Sequence, residues 1–210
     1  MFALGFSRKK STSWQRNRLF ENHFEEVEGN GCKKIAVIGA GTMGRGIAHV
    51  AAAGGFDVAL QDISEEQLNQ AMATIEKNMK KAVEIGKMSA AEVDQALNRI
   101  SVTTNMEAAA KDADLVIEAV LELMELKIDV FRQLDKICPL HTVLATNTST
   151  ISPTEIAAAT NRPQQCIAMH FFNPVHKMKL VEIRHGQIER QRRRHRFRTS
   201  AGSDRDDFSH

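Results

Sequence analysis

The run Lys34-Ile35-Ala36-Val37-Ile38-Gly39-Ala40-Gly41-Thr42-Met43-Gly44 decides the fold. It reads as a buried apolar strand that ends in G-x-G-x-x-G. Gly39 permits a tight turn, Gly41 lets backbone approach a pyrophosphate, and Gly44 lets the next helix pack close to the strand. The first-turn amides of that helix then face the phosphates, where the helix dipole favours negative charge. Ala40, Thr42 and Met43 complete this candidate cradle. The glycine spacing alone is a weak signal, since a βα turn without a ligand can carry it. The context strengthens it: a helix from Arg45 to Ala53 closed by Gly54-Gly55, a short strand from Asp57 to Leu60, and an acid at Asp62. Asp62 lies near the ~20-residue offset expected of a carboxylate on a ribose.

The pattern continues as alternating strands and capped helices, the grammar of a parallel α/β sheet. Ser64-Glu65-Glu66-Gln67 reads as a capping box opening a helix through about Lys81, and Ser89-Ala90-Ala91-Glu92 as another, opening a helix through about Leu97. Ile100–Thr103, Leu115–Ala119 and Val143–Thr146 read as strands. Leu121 to Ile137 is amphipathic and stops before Pro139. Ser152-Pro153-Thr154-Glu155 sets an N-cap, a proline at N1 and an acid at N3. Ile167–Met169 and Lys179–Ile183 are the last strands. The fold class is therefore α/β, a doubly wound, mostly parallel sheet spanning residues 32–183, with a helical excursion over about 64–97.

Two flanking segments differ from this body. Residues 1–31 lack periodicity. Their first twenty carry five basic residues and no acid, which imitates a mitochondrial transit peptide. Glu21, Glu25, Glu26 and Glu28 then break that pattern, and an extraneous or disordered leader is the preferred reading. From Arg184 onward the chain holds eight arginines and four acids and almost no apolar side chains. It reads as a disordered tail, truncated or out of frame, because too little surface can be buried to offset the entropy of ordering. The overall charge of +2 belongs to this tail, and the rest of the chain is at −2. No nucleic-acid partner is expected, and no membrane, since no apolar run nears the ~18 residues of a span. Cys32, Cys138 and Cys166 are far apart and odd in number. They fit a reducing compartment without disulfides or a metal site.

His170-Phe171-Phe172-Asn173-Pro174 follows a short strand, which puts His170 at the C-terminal sheet edge where open α/β folds bind ligands. Twelve residues on, Glu182 stands in Leu180-Val181-Glu182-Ile183. In a central strand that acid needs a partner, and His170 is a candidate. A His–carboxylate pair fixes one tautomer and stabilises the imidazolium formed by proton abstraction. Spacing leaves the other reading open: a loop histidine and an exposed edge-strand glutamate. Asn147-Thr148-Ser149-Thr150 brings hydroxyls and an amide to the same edge, although turn and capping chemistry also explains them. On spacing alone, Glu122 and Lys127 read as a solvated helix face.

Taken together, these residues resemble the L-3-hydroxyacyl-CoA dehydrogenase family in its short bacterial 3-hydroxybutyryl-CoA form. The resemblance rests on Gly39 through Ala48, Asp62, Val116-Ile117-Glu118-Ala119-Val120, Asn147 through Thr150, and His170 through Glu182. It implies a Rossmann-type domain and reversible NAD-dependent oxidation of an L-3-hydroxyacyl-CoA, in fatty acid or butyrate metabolism. His170 would be the general base and Glu182 its orienting partner. Ser149 and Asn173 match residues positioning both substrate and nicotinamide. Asp62 matches the ribose carboxylate, and Glu122 and Lys127 match further cofactor contacts. The excursion after Ser64 matches a helical arm that meets CoA, where Lys80, Lys81 and Lys87 are candidate phosphate contacts. The carboxylate of Asp62 would repel a 2′-phosphate, and Ile63 follows it with no arginine near, so NAD is favoured over NADP. Family members are homodimers through a C-terminal helical domain, which nothing after Ile183 resembles. A cytoplasmic location is expected, with the mitochondrial matrix as the alternative. The competing expectations are a nucleotide-binding remnant without turnover, a nucleic-acid binder using the arginine-rich tail, and a related dehydrogenase with another acid substrate.

Overall fold

The structure, a computed structural model, describes residues 32–178 and 180–185. The expectations for residues 1–31, and for the tail beyond His185, lie outside the described residues. Seven strands form one sheet: β1 (Lys34–Ile38), β2 (Asp57–Gln61), β3 (Ile100–Thr103), β4 (Leu115–Glu118), β5 (Val143–Thr146), β6 (Cys166–Phe171) and β7 (Val181–His185), in the order β3-β2-β1-β4-β5-β6-β7. Pairings from β3 through β6 are parallel, and β7 closes the edge antiparallel. Arg184 and His185, which composition assigns to the tail, extend this last strand.

β1 shows why the sheet has two faces. Ile35 and Val37 join one apolar cluster while Ala36 and Ile38 join another, as period-2 alternation requires. The first cluster packs under α1 (Thr42–Ala53), α2 (Glu65–Glu84) and α3 (Ala90–Asn98). The second packs under α4 (Met106–Ala110), α5 (Met124–Ile137) and α6 (Pro153–Ala158). The excursion after Ser64 is thus the crossover from β2 to β3. It lays Leu68, Ala71, Ile75 and Met79 of α2 into the core at helical spacing.

Several boundaries move for local reasons. α1 begins at Thr42, directly after Gly41, three residues earlier than expected. α5 begins at Met124, because Leu121–Leu123 form the turn out of β4. α4 has no counterpart among the expected elements, and the side chain of Asn105 caps it by accepting from the Ala108 amide at 2.9 Å. The far end of α5 is held by a buried arginine. Arg162 donates to the carbonyls of Asp135, Cys138 and Pro139 and to the Asp135 carboxylate, satisfying acceptors that helix geometry leaves orphaned.

Gly39 has φ +99°, open to glycine and rarely adopted by L side chains. A Cβ on Gly44 would stand 1.7 Å from the Gly39 carbonyl oxygen. Both positions therefore require glycine, and together they set how closely α1 crosses β1. Gly44→Ala should cost about 3 kcal/mol or more of stability, readable as a lower urea midpoint at an unchanged m-value.

The turn after β6 closes over α1. Val175 is buried, and a Cβ on Gly46 would come within 2.8 Å of its Cγ2. One turn along the helix, His49 stacks on His176 with ring centroids 5.5 Å apart and planes 7° apart. Burial, with a contribution from His176, lowers His49 from 6.5 to about 4. The folded protein therefore holds His49 neutral where the unfolded chain would protonate it. The stability from this group is present above about 6.5 and lost as pH falls toward about 4, on the order of 3 kcal/mol over that window. Urea titrations across that window should show this fall, and His49→Gln should flatten it.

Candidate active site

The strand order reverses between β1 and β4, and the C-terminal ends of these strands open the crevice where α/β sheets bind ligands. The glycine turn lies at that crevice. The Gly39 amide donates to the Gln61 carbonyl at 2.7 Å, and the Ala119 amide donates to the Ile38 carbonyl at 2.8 Å. Gly41 is the N-cap of α1, offers no side chain to that end, and faces open space. The helix end thus has no side-chain cap, and the space beside Gly41 is open, as the approach of a pyrophosphate would require. Asp62 follows β2, and its carboxylate accepts from the Ala40 amide at 2.8 Å and from the Ser64 amide at 3.0 Å. Each oxygen retains lone-pair capacity for a ribose hydroxyl. Ser64 caps α2 by accepting from the Gln67 amide at 3.2 Å. The reciprocal half of the expected capping box is missing, because the Gln67 carboxamide donates to the Ala40 carbonyl at 3.3 Å instead. The arm is thereby tied to the glycine turn.

Beyond β4 the site rests on buried charge. Glu118 ends that strand with no solvent exposure. Its carboxylate accepts from the Val120 amide at 2.8 Å, the Lys127 ammonium at 2.7 Å and the Thr146 hydroxyl at 2.6 Å. Burial raises its pKa above the ordinary carboxylate value, and these partners offset only part of that rise. The solvated helix face expected of Lys127 is not found, since its side chain is fully buried. Its ammonium also lies 3.3 Å from Glu122, whose side chain is 39% exposed. Oε1 of Glu122 takes the Thr148 hydroxyl, the Ser149 amide at 3.3 Å, and the amide and hydroxyl of Thr150 at 3.5 and 3.2 Å. Burial pushes the Glu122 carboxyl up, but the Thr148 hydroxyl and Lys127 outweigh it and leave the pKa low. The Thr146, Thr148 and Thr150 hydroxyls and the Glu118 carboxylate are parts of the site that the sequence reading did not single out individually. An acid inside the apolar run of β4 was the available signal, because a buried carboxylate demands partners.

His170 and Glu182 face each other in the antiparallel register of β6 and β7, with Nδ1 and Oε2 3.5 Å apart. The side chain of Glu182 is 41% exposed and β7 is the last strand of the sheet among the described residues, so of the two open readings the exposed edge-strand glutamate is found, opposite a histidine that lies in a strand and not a loop. Oε2 of Glu182 also accepts from Arg184 at 3.1 Å. His170 packs against Phe172, ring centroids 4.6 Å apart. Asn147 ties the strand of His170 to the neighbouring turn, its side-chain oxygen accepting from the Phe171 amide at 3.0 Å. A cavity of about 210 Å³ is lined by Thr148, Ser149, Thr150, His170, Glu182 and Arg184.

Asn173 does not line that cavity. It lies on a neighbouring one of about 150 Å³, between α1 and α2, with Arg45, His49, Thr74, Asn78 and His176. Thr74 and Asn78 were not anticipated, and with Ile75 they are the arm residues that line this cavity. Lys81 pairs with Glu84 at 2.7 Å on the exposed face of α2, and Lys87 is exposed beyond it; neither lines a cavity described here. Ser152 stands at the N-cap of α6 with Pro153 and Glu155 in its first turn, as expected, but its side chain makes no hydrogen bond to the helix.

Residues 34–194 match the model of the 3-hydroxyacyl-CoA dehydrogenase NAD-binding domain. A probable 3-hydroxybutyryl-CoA dehydrogenase of Bacillus subtilis is 49% identical over 154 residues, 73% of this chain and 53% of the relative. The mitochondrial hydroxyacyl-coenzyme A dehydrogenase of Rattus norvegicus is 42% identical over 156 residues, 72% of this chain and 50% of that protein. The crystal structure of 3-hydroxybutyryl-CoA dehydrogenase from Escherichia coli superimposes with a TM-score of 0.71 at 46% identity, covering 73% of this chain and 32% of that one. The Ralstonia eutropha (S)-3-hydroxybutyryl-CoA dehydrogenase gives 0.72 at 38% identity, with 74% and 55% covered. The chain spans about half the length of the curated 3-hydroxybutyryl-CoA dehydrogenases it matches. The glycine turn, the Asp62 carboxylate and the edge at His170 thus sit in a chain that belongs to the 3-hydroxyacyl-CoA dehydrogenase family and carries its NAD-binding domain.

Proposed function

We propose that this chain serves NAD-dependent interconversion of an L-3-hydroxyacyl-CoA and its 3-oxoacyl-CoA, with His170 as general base. A short acyl chain, 3-hydroxybutyryl-CoA, is the preferred substrate in this reading, and fatty acid or butyrate metabolism its setting. The observation that carries it is the His170–Glu182 pair at 3.5 Å on the rim of the cavity that also holds Ser149. Glu182 faces Nδ1, which leaves Nε2 of the neutral ring to accept a hydroxyl proton. The carboxylate then stabilises the imidazolium. In the reverse direction the same imidazolium returns the proton to the carbonyl oxygen as it becomes an alkoxide. NAD, when bound, supplies the hydride acceptor. The α1 N-terminus at Gly41 receives its pyrophosphate, with Gly39, Ala40, Thr42, Met43 and Gly44 around it, and Asp62 the adenine ribose.

Ser149 is assigned to orient the substrate oxygen beside His170. Asn173, one cavity over, is assigned to the nicotinamide side. Glu122 and Lys127 remain proposed cofactor contacts, and Lys81 and Lys87 proposed CoA phosphate contacts reached from the arm. A cytoplasmic location, or a mitochondrial matrix one, completes the reading.

The deciding experiment measures NADH oxidation with acetoacetyl-CoA beside NADH binding by fluorescence on one preparation. Turnover with binding is the expected result, and binding without turnover would favour a cofactor-binding remnant. His170→Gln should lower kcat roughly a hundred- to ten-thousandfold while leaving the NADH Kd unchanged. Loss of NADH binding as well would make His170 structural. Asp62→Gly should weaken NADH binding more than NADPH binding, and an equal loss for both would remove Asp62 from the ribose.

A further inference from the structure

Lys127 is among the largest fully buried side chains of the described residues. A lysine on a helix ordinarily carries its ammonium to water along a flexible stem. Here the ammonium is held between two carboxylates, 2.7 Å from Glu118 and 3.3 Å from Glu122, with no solvent exposure. Neither Lys127 nor Glu118 lines either cavity. Their reach toward the turn of Thr148–Thr150 runs through Glu122. One oxygen of that carboxylate meets the ammonium, and the other gathers four donors from Thr148, Ser149 and Thr150. That turn is short and polar, and Ser149 and Thr150 are exposed. A glutamate 39% exposed would otherwise be free to swing into water and release it.

We propose that Lys127 is a positioning residue: anchored on Glu118, it fixes Glu122, and Glu122 fixes the turn that presents Ser149 beside His170. The chain of contacts is continuous. Glu118 is locked to the ends of β4 and β5 by the Val120 amide and the Thr146 hydroxyl. Lys127 transfers that rigidity from the sheet to Glu122. The Thr148 hydroxyl, bound to Glu122, accepts in turn from the Ile151 amide at 3.0 Å and closes the turn. The effect on turnover rests on the function proposed above, but the effect on the turn does not.

The test removes both buried charges together, in Glu118→Gln/Lys127→Met, so that no ammonium or carboxylate is left buried alone. Amide hydrogen exchange is read at Ser149 and Thr150 against Val116 and Ile117 of β4 as an internal reference. Exchange at the turn should rise roughly tenfold or more while the reference stays protected. With NADH at saturation, kcat with acetoacetyl-CoA should fall roughly tenfold or more. Glu122→Ala alters a partly exposed side chain and keeps the question open to test should the double variant not fold. It should loosen the same two amides, with β4 unaffected. Unchanged exchange at the turn in whichever folded variant is measured would overturn the proposal. A parent chain that binds NADH without turnover would overturn the dehydrogenase reading alone, since the exchange result still decides the role of Lys127.

Discussion

Glu118 ends β4 with its carboxylate shut away from water, at the crevice where the strand order reverses. An ionised group in that position loses several kcal/mol of hydration unless every lone pair finds a donor. The sequence supplies three: a backbone amide two residues on, a hydroxyl from the next strand, and the ammonium of Lys127 from the helix behind. Such a pair is weak evidence for stability, because two apolar side chains of the same volume can do as well. What it contributes is geometry. Strand β4, the end of β5 and helix α5 are each tied to the same carboxylate, so none can shift without breaking a bond that has no water to replace it.

On the other side of the crevice the constraint is steric. Gly44 has no room for a Cβ over the Gly39 carbonyl, and Gly39 needs a backbone conformation that a side chain would strain. The close crossing that results aims the first turn of α1 at the crevice. Asp62 then does two things at once. It holds the glycine turn through the Ala40 amide and opens α2 through the Ser64 amide, while each oxygen keeps lone-pair capacity for a further donor. The arm reinforces the same turn through Gln67 and Ala40. Because that carboxylate is built into the turn, the preference against a 2′-phosphate proposed for it would be a property of the scaffold and not of a mobile side chain.

How legible each part was follows from how local its cause is. The turn from β1 to α1 could be read because glycine spacing and an apolar strand are contiguous. The Ser89 box was readable for the same reason, and both of its bonds are present: Glu92 Oε2 takes the Ser89 amide at 2.7 Å, and Ser89 Oγ takes the Glu92 amide at 3.2 Å. The Ser64 box was half right because a distant acceptor, the Ala40 carbonyl, took the Gln67 side chain. Helix α4 was hidden in five residues, too few to show a period. Lys127 misled, and Arg162 drew no reading at all, for one common reason. Charged residues read as surface, and only the fold brings Glu118 and Glu122 to the first and the Asp135 carboxylate and α5 carbonyls to the second.

The pair at the far edge depends on register more than on burial. His170 and Glu182 sit directly opposite in an antiparallel ladder, so their side chains share a face. A slip of one residue would send Glu182 to the other face, and spacing along the chain could not decide between those outcomes. The turn between β6 and β7 therefore fixes the orientation of the imidazole, and the packing of Val175 against Gly46 anchors that turn to α1. Register does not fix the strength of the pair. Glu182 is partly exposed and shares Oε2 with Arg184, which is itself 72% exposed. Water screens such contacts to about 1 kcal/mol or less. The same 3.5 Å contact grows several-fold stronger once the surroundings turn apolar. Position and strength are thus set separately: the hydrogen-bonded ladder places the carboxylate opposite the histidine, and whatever excludes water from that edge determines how firmly it holds an imidazolium.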